Sequence, residues 1–110
     1  MELDAKQKVL IAIYTEYQKD MPDMERITAK SLGLDSKVFK VALSKLDNEG
    51  LVTGLVFANG GDSAIPSHVA VDYAKMTREG ISYVETKLNI TPSMSGEEKV
   101  KEIMLKAADW

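Results

Sequence analysis

Lys37, Lys40, Val41, Ser44 and Lys45 are the residues whose types and spacing could do chemistry. Between Ser36 and Asn48, Phe39, Ala42, Leu43 and Leu46 recur at the three-and-four spacing of a helix that buries one face. Lys37, Lys40, Val41 and Ser44 lie opposite that face, and Lys45 belongs to the same cationic run. A lysine ammonium can pair with phosphates or with guanine O6 and N7, a serine hydroxyl suits either, and Val38 or Val41 can touch a thymine methyl. Arg26 and Lys30 stand upstream and would steer the approach. Residues 26–46 hold five cations against one carboxylate, Asp35, a local net of +4. This pattern suits contact with double-stranded DNA. The competing reading is that the lysines only keep an exposed helix solvated.

Other chemistries find little support. Cysteine is absent, which removes disulfides, thiolate metal sites and a cysteine nucleophile. His68 could hold a metal with Asp72, but two weak ligands make a poor site, and a solvated loop histidine is the plainer reading. Asn59-Gly60-Gly61-Asp62 is no phosphate loop, because neither Gly-Lys-Ser/Thr nor a helix start follows it. No Gly-x-Ser-x-Gly elbow occurs. The carboxylates lie scattered on polar faces, where ionised and solvated is the default. The expectation is therefore a binding protein with no catalytic residues, no cofactor and no metal.

Composition sets the frame. A chain of 110 residues fits one domain with one modest core. With 45% apolar and 28% charged residues it reads as a globular protein. Its 14 basic and 17 acidic side chains give a net charge of -3, which excludes a whole-surface binder of nucleic acid. Residues 47–74 carry Asp47, Glu49, Asp62 and Asp72 and no Lys or Arg. That stretch would repel phosphate or meet a protein instead. The start, Met1-Glu2-Leu3-Asp4-Ala5-Lys6, lacks the basic end and apolar stretch of a signal peptide. The longest apolar run, Val9 to Tyr14, is too short to span a bilayer. A cytoplasmic location without membrane contact is expected.

The elements that must position these residues can be read in order. Residues 3–19 predict a helix with Leu10, Ile13, Tyr14 and Tyr17 at helical spacing, stopped before Pro22. Thr28 caps a predicted one-turn helix over Ala29 to Leu32, ended by Gly33. Asp35 or Ser36 caps the lysine-bearing helix, which Gly50 ends. Leu51 to Phe57 predicts a strand. Ser67 to Tyr73 predicts its antiparallel partner, with Val69, Val71 and Tyr73 on one side. The tip between them, Ala58 to Ser67, contains Asn59-Gly60-Gly61-Asp62-Ser63 and exceeds the usual hairpin loop of about 2–5 residues, so it is expected to be flexible or functional. Thr77 caps a helix whose Ile81, Val84 and Leu88 share a face, and Ser95 with Glu98 fits a capping box for the last helix. Val100, Ile103, Met104, Ala107 and Ala108 form one stripe of that last helix, with Trp110 after it.

This order predicts a mainly α fold with a small antiparallel β hairpin, an α+β winged helix-turn-helix with an extra C-terminal helix. Residues 1–89 would form the winged helix-turn-helix domain and 90–110 a connector and terminal helix. The run Ser36 to Val52 resembles the passage from recognition helix to strand in winged-helix regulators, and Met76-Thr77-Arg78-Glu79-Gly80 resembles the helix start after their wing. Within that group most of the chain is similar to the YjcQ family of small bacterial and prophage-encoded proteins, through Glu49-Gly50, Gly54, Thr77 to Gly80 and Trp110. The resemblance implies the winged-helix fold; the +4 charge over residues 26–46 on its expected recognition unit makes a DNA-binding transcription regulator of prophage type, with the 36–48 helix in the major groove, the leading expectation. The C-terminal stripe, with Val100, Ile103, Met104, Ala107 and Trp110, either closes the domain's own core or meets a second copy or another protein. A module that binds protein through the acidic wing and this helix, without DNA, is the alternative.

Overall fold

The computed structural model describes residues 3–58, 68–107 and Trp110. The fold grows from a central helix, α1 (Ala5–Tyr17), shorter at each end than the sequence pattern suggests. Asp4 starts it by accepting from the Gln7 amide at 2.8 Å, while the Gln7 side chain accepts from the Asp4 amide at 2.9 Å. This reciprocal box satisfies two donors that a helix end leaves open. Val9, Leu10, Ile13 and Tyr14 are buried, and α1 touches every other helix.

The one-turn helix predicted at Ala29 to Leu32 is a hydrogen-bonded turn. Thr28 Oγ1 accepts from the Ser31 amide and Ser31 Oγ from the Thr28 amide, both at 3.0 Å. Gly33, at φ +67°, ends the segment before a second turn can form. A short 3-10 helix, Met24–Arg26, precedes it. Asp35 then caps α2 (Ser36–Asn48), accepting from the Lys37 amide at 2.9 Å. Phe39, Ala42, Leu43 and Leu46 form its buried face, as their spacing predicts. Beyond Asn48 the chain closes with Leu51 N–H donating to the Leu46 carbonyl at 3.0 Å, a helix-ending bond made across Gly50.

The hairpin is antiparallel as expected, but the predicted outgoing strand is broken in two, and the predicted return strand ends early, at Ala70, with a further short strand beyond its expected end. The outgoing side forms β1 (Val52–Thr53) and β2 (Val56–Ala58), and the return side β3 (His68–Ala70) and β4 (Lys75–Met76). Val52 faces Met76 and Thr53 faces Lys75 in one ladder; Val56 faces Ala70 and Ala58 faces His68 in the other. Between the ladders, residues 54–55 oppose the longer stretch 71–74. Gly54, at φ +81°, makes the break, and a Cβ there would collide with the Tyr73 carbonyl. Tyr73 therefore sits in a bend and is 76% exposed, rather than lining one side of a strand with Val69 and Val71. The Asn59 to Ser63 turn lies outside the described residues.

Thr77 caps α3 (Arg78–Leu88) as predicted, and Ser95 caps α4 (Gly96–Lys106). The box at Ser95 is altered: Glu98 accepts from the serine hydroxyl at 3.2 Å, not from the Ser95 amide. Val84, Leu88 and Ile103 join the α1 and α2 side chains in a single core. The stripe expected on the last helix divides, because the backbone turns about 100° between Ile103 and Met104. Ile103 is 1% exposed and belongs to the core, whereas Met104 is 78% exposed. Ala108 lies outside the described residues. The whole is a mainly helical α+β domain, consistent with a winged helix.

Two carboxylates depart from the solvated default. Glu16 and Glu85 are buried. Glu85 Oε2 accepts from the Tyr14 hydroxyl at 2.8 Å and meets Lys99 Nζ at 2.8 Å, which ties α3 to α1 and α4.

Candidate nucleic-acid interface

The helical twist of α2 fixes what its outer side presents. With Phe39, Ala42, Leu43 and Leu46 turned inward, Lys37, Val41, Ser44 and Asn48 follow one another along the opposite side at spacings of four, three and four. Lys45 and Val38 flank this stripe on one side and Lys40 on the other. Asn48 was not among the residues singled out by sequence. Its signal was the same periodicity carried one step further, and an asparagine side chain can bond adenine N6 and N7.

Lys37, Val38, Val41 and Lys45 line an open groove of about 320 Å³, closed on one side by Ala42 and on the other by Ala5 and Lys6 of α1. Its lining combines the apolar Ala5, Val38, Val41 and Ala42 with the side chains of Lys6, Lys37 and Lys45. Lys6 is held there by Glu49, whose Oε2 lies 2.9 Å from its Nζ. The hydrogen bond to Glu49 raises the Lys6 pKa above its ordinary value. The same contact gives the first part of the acidic 47–74 stretch a cation from outside it.

Arg26 and Lys30 do not join this groove. Arg26 is exposed on a separate groove between α1 and the 24–32 segment, beside Lys8, Lys19 and Glu16. Lys30 is exposed in the turn that ends at Gly33. Glu16 already has partners: its Oε2 accepts from the Asp23 amide at 3.0 Å and its Oε1 from Lys19 at 3.0 Å. Burial alone would raise its pKa, but the Asp23 amide, the Lys19 ammonium and Arg26 outweigh it and hold the carboxyl below its usual value.

The wing and the terminal helix offer different surfaces. The described part of the wing exposes Val56, Tyr73 and His68. On α4, Val100 is half-buried and lines an open groove with Gln18 and Gly96, and Met104 stands exposed, as does Leu105, at 75%. Ala107 is half-buried, and Trp110 packs against Tyr83 with ring centroids 5.7 Å apart and planes tilted by 42°. Among the described residues no cluster of His, Asp or Glu could hold a metal ion, and no helix is long and apolar enough to cross a membrane.

No curated protein and no solved structure matches the chain. Residues 7–103, which run from the first turn of α1 to the buried Ile103, match the family model described as YjcQ protein, and the chain belongs to the YjcQ family.

Proposed function

We propose that this domain binds duplex DNA through the outer side of α2, and that it acts as a small regulator rather than as an enzyme. The observation that carries this reading is that two cations of one exposed helix face, Lys37 and Lys45, make no ion pair among the described residues. Lys8, Lys30, Lys75 and Lys87 are likewise without one, but they are spread over other elements, whereas Lys6, Lys19, Lys99, Lys101 and Lys106 each meet a carboxylate of the chain. A cation without an internal partner is available to displace the counterions of a phosphate, and that release drives association with DNA. Lys37, Lys40 and Lys45 would hold the backbone, and Val41, Ser44 and Asn48 would face the bases. Titrating a duplex against the wild type and a Lys37→Glu, Lys45→Glu variant at low salt tests this. Loss of binding in the variant is expected, and equal affinities would refute it.

A second reading has its own observation. Met104 and Leu105 are exposed side by side on α4, and the wing stretch has no Lys or Arg. In this reading the domain keeps its frame and meets a protein or a second copy through that helix. It predicts no DNA binding even at low salt, and a monomeric or partner-free Met104→Glu, Leu105→Glu variant by sedimentation velocity.

A further inference from the structure

We propose that Val38 and Val41 read thymine methyl groups, so that the α2 face prefers thymine-containing duplexes; this rests on the DNA-binding reading above. The starting point is an oddity of composition. The solvent side of a helix gains most from straight-chain polar residues, and β-branched valine is a poorer helix former there. Yet Val38 is 44% exposed, and Val41 sits in the middle of the outward stripe. Together with Ala5 and Ala42 they make an apolar lining that Lys37 and Lys45 flank on α2, with Lys6, already paired with Glu49, on the α1 side.

An apolar strip framed by cations is complementary to apolar points framed by anions. The major groove of DNA presents that pattern, because the C5 methyl of thymine is its apolar feature and phosphates run along both edges. The spacing also suits it. Residues three apart on a helix rise about 4.5 Å, close to the roughly 3.4 Å between successive base pairs. Val38 and Val41 can therefore address neighbouring steps. Lys37 and Lys45 sit on either side to hold phosphates. No carboxylate stands on the strip to accept from cytosine N4.

The test replaces the methyl and nothing else. A random-sequence duplex pool is amplified once with thymidine triphosphate and once with deoxyuridine triphosphate, and each is titrated against the full chain by fluorescence anisotropy. Uracil keeps every hydrogen-bonding group of thymine and lacks only the methyl. Each buried methyl is worth about fourfold in affinity, so the uracil pool is expected to bind at least about fourfold more weakly. In a Val38→Ser, Val41→Ser variant the two pools should bind alike. The wild-type comparison needs no variant, so the test survives a variant that does not fold. Equal binding of the two pools by the wild type would overturn the methyl reading and leave DNA binding standing. If neither pool binds while a synthetic acidic amphipathic peptide does, both readings fall and the groove belongs to a protein.

Discussion

The Tyr14 hydroxyl and the Lys99 ammonium converge on one oxygen, Glu85 Oε2, each at 2.8 Å. Burial, and then the hydrogen bond to Glu85, hold the Tyr14 phenol well above its ordinary pKa, so it remains a donor. Lys99 is the only part of α4 that reaches this buried carboxylate among the described residues. Removing it by Lys99→Met leaves Glu85 charged in the core with a neutral partner. The cost of breaking a buried pair in this way is about 3–5 kcal/mol. For a domain of this size each kcal/mol shifts the melting temperature by about 4–8 °C. A triple Tyr14→Phe, Glu85→Leu, Lys99→Met variant removes the charges and the polar handle together and should recover most of the loss. Thermal melts of the two variants decide it; equal destabilisation would show that the pair does not hold α4.

Thr77 joins the two halves of the winged unit through one hydroxyl. Its Oγ1 accepts from the Gly80 amide at 2.9 Å and donates to the Gly50 carbonyl at 2.7 Å. The first bond caps α3, and the second secures the residue that ends α2. Close by, a Cβ on Gly80 would collide with the Leu51 carbonyl, so α3 starts pressed against the chain leaving α2. An ordinary cap is worth about 1 kcal/mol and the strongest about 2. Thr77→Ala is expected at the upper end, because it strands a carbonyl as well as a helix amide. Thr77→Ser should retain most of the stability, and denaturant midpoints at constant slope measure both.

What could be read from sequence was local. Asp35, Thr77, Ser95, Gly33 and Gly50 lie within a few residues of the groups they satisfy, so their types alone announce where helices begin and end. The outer side of α2 was legible for the same reason, since helical twist follows from residue spacing. The break in the hairpin was not, because it depends on Gly54, which has no Cβ, lying against the Tyr73 carbonyl in the bend of the return side, a contact between residues far apart in the chain. The alternation of Val69, Val71 and Tyr73 suggested one strand, yet the extra residues on the return side bend it. Glu85 was missed because its tyrosine partner stands 71 positions away. The hint was its place between Val84 and Leu88, on the inward side of α3. Lys6 completes the rim of the α2 groove through Glu49, 43 positions distant, and no spacing rule reaches that far.

Glu16 makes acid stability sensitive to one side chain. Its carboxyl titrates below the ordinary value of 4.5 in the folded chain, because the Asp23 amide, Lys19 and Arg26 favour its charged form more than burial opposes it. A depressed folded pKa means that the unfolded chain binds the proton first. The contribution is therefore complete above the unfolded value and is lost as pH falls from about 4.5 through the lower folded value. Glu16→Gln should lower stability at neutral pH and flatten its decline on the acid side. Urea midpoints collected from neutral pH down to pH 3 give the slope. A variant as steep as the wild type would move the acid sensitivity elsewhere.

Lys37 and Lys45, which make no ion pair among the described residues, should each leave a mark on salt dependence. For B-DNA the logarithm of the binding constant falls against the logarithm of salt with a slope of about 0.9 per neutralised phosphate. Lys37→Gln and Lys45→Gln are each expected to reduce the slope by about that amount, and the double variant by about twice it. Lys101→Gln serves as a control, because Lys101 is exposed on α4 beside Glu97 and lies off the α2 face. It should leave the slope unchanged. Val41→Ser separates charge from base reading: it should weaken binding without altering the slope, since a valine displaces no counterion. Anisotropy titrations across a salt series read all five variants. If the slope changes with Lys101 as much as with Lys37, the attraction is a property of net charge and not of the α2 face.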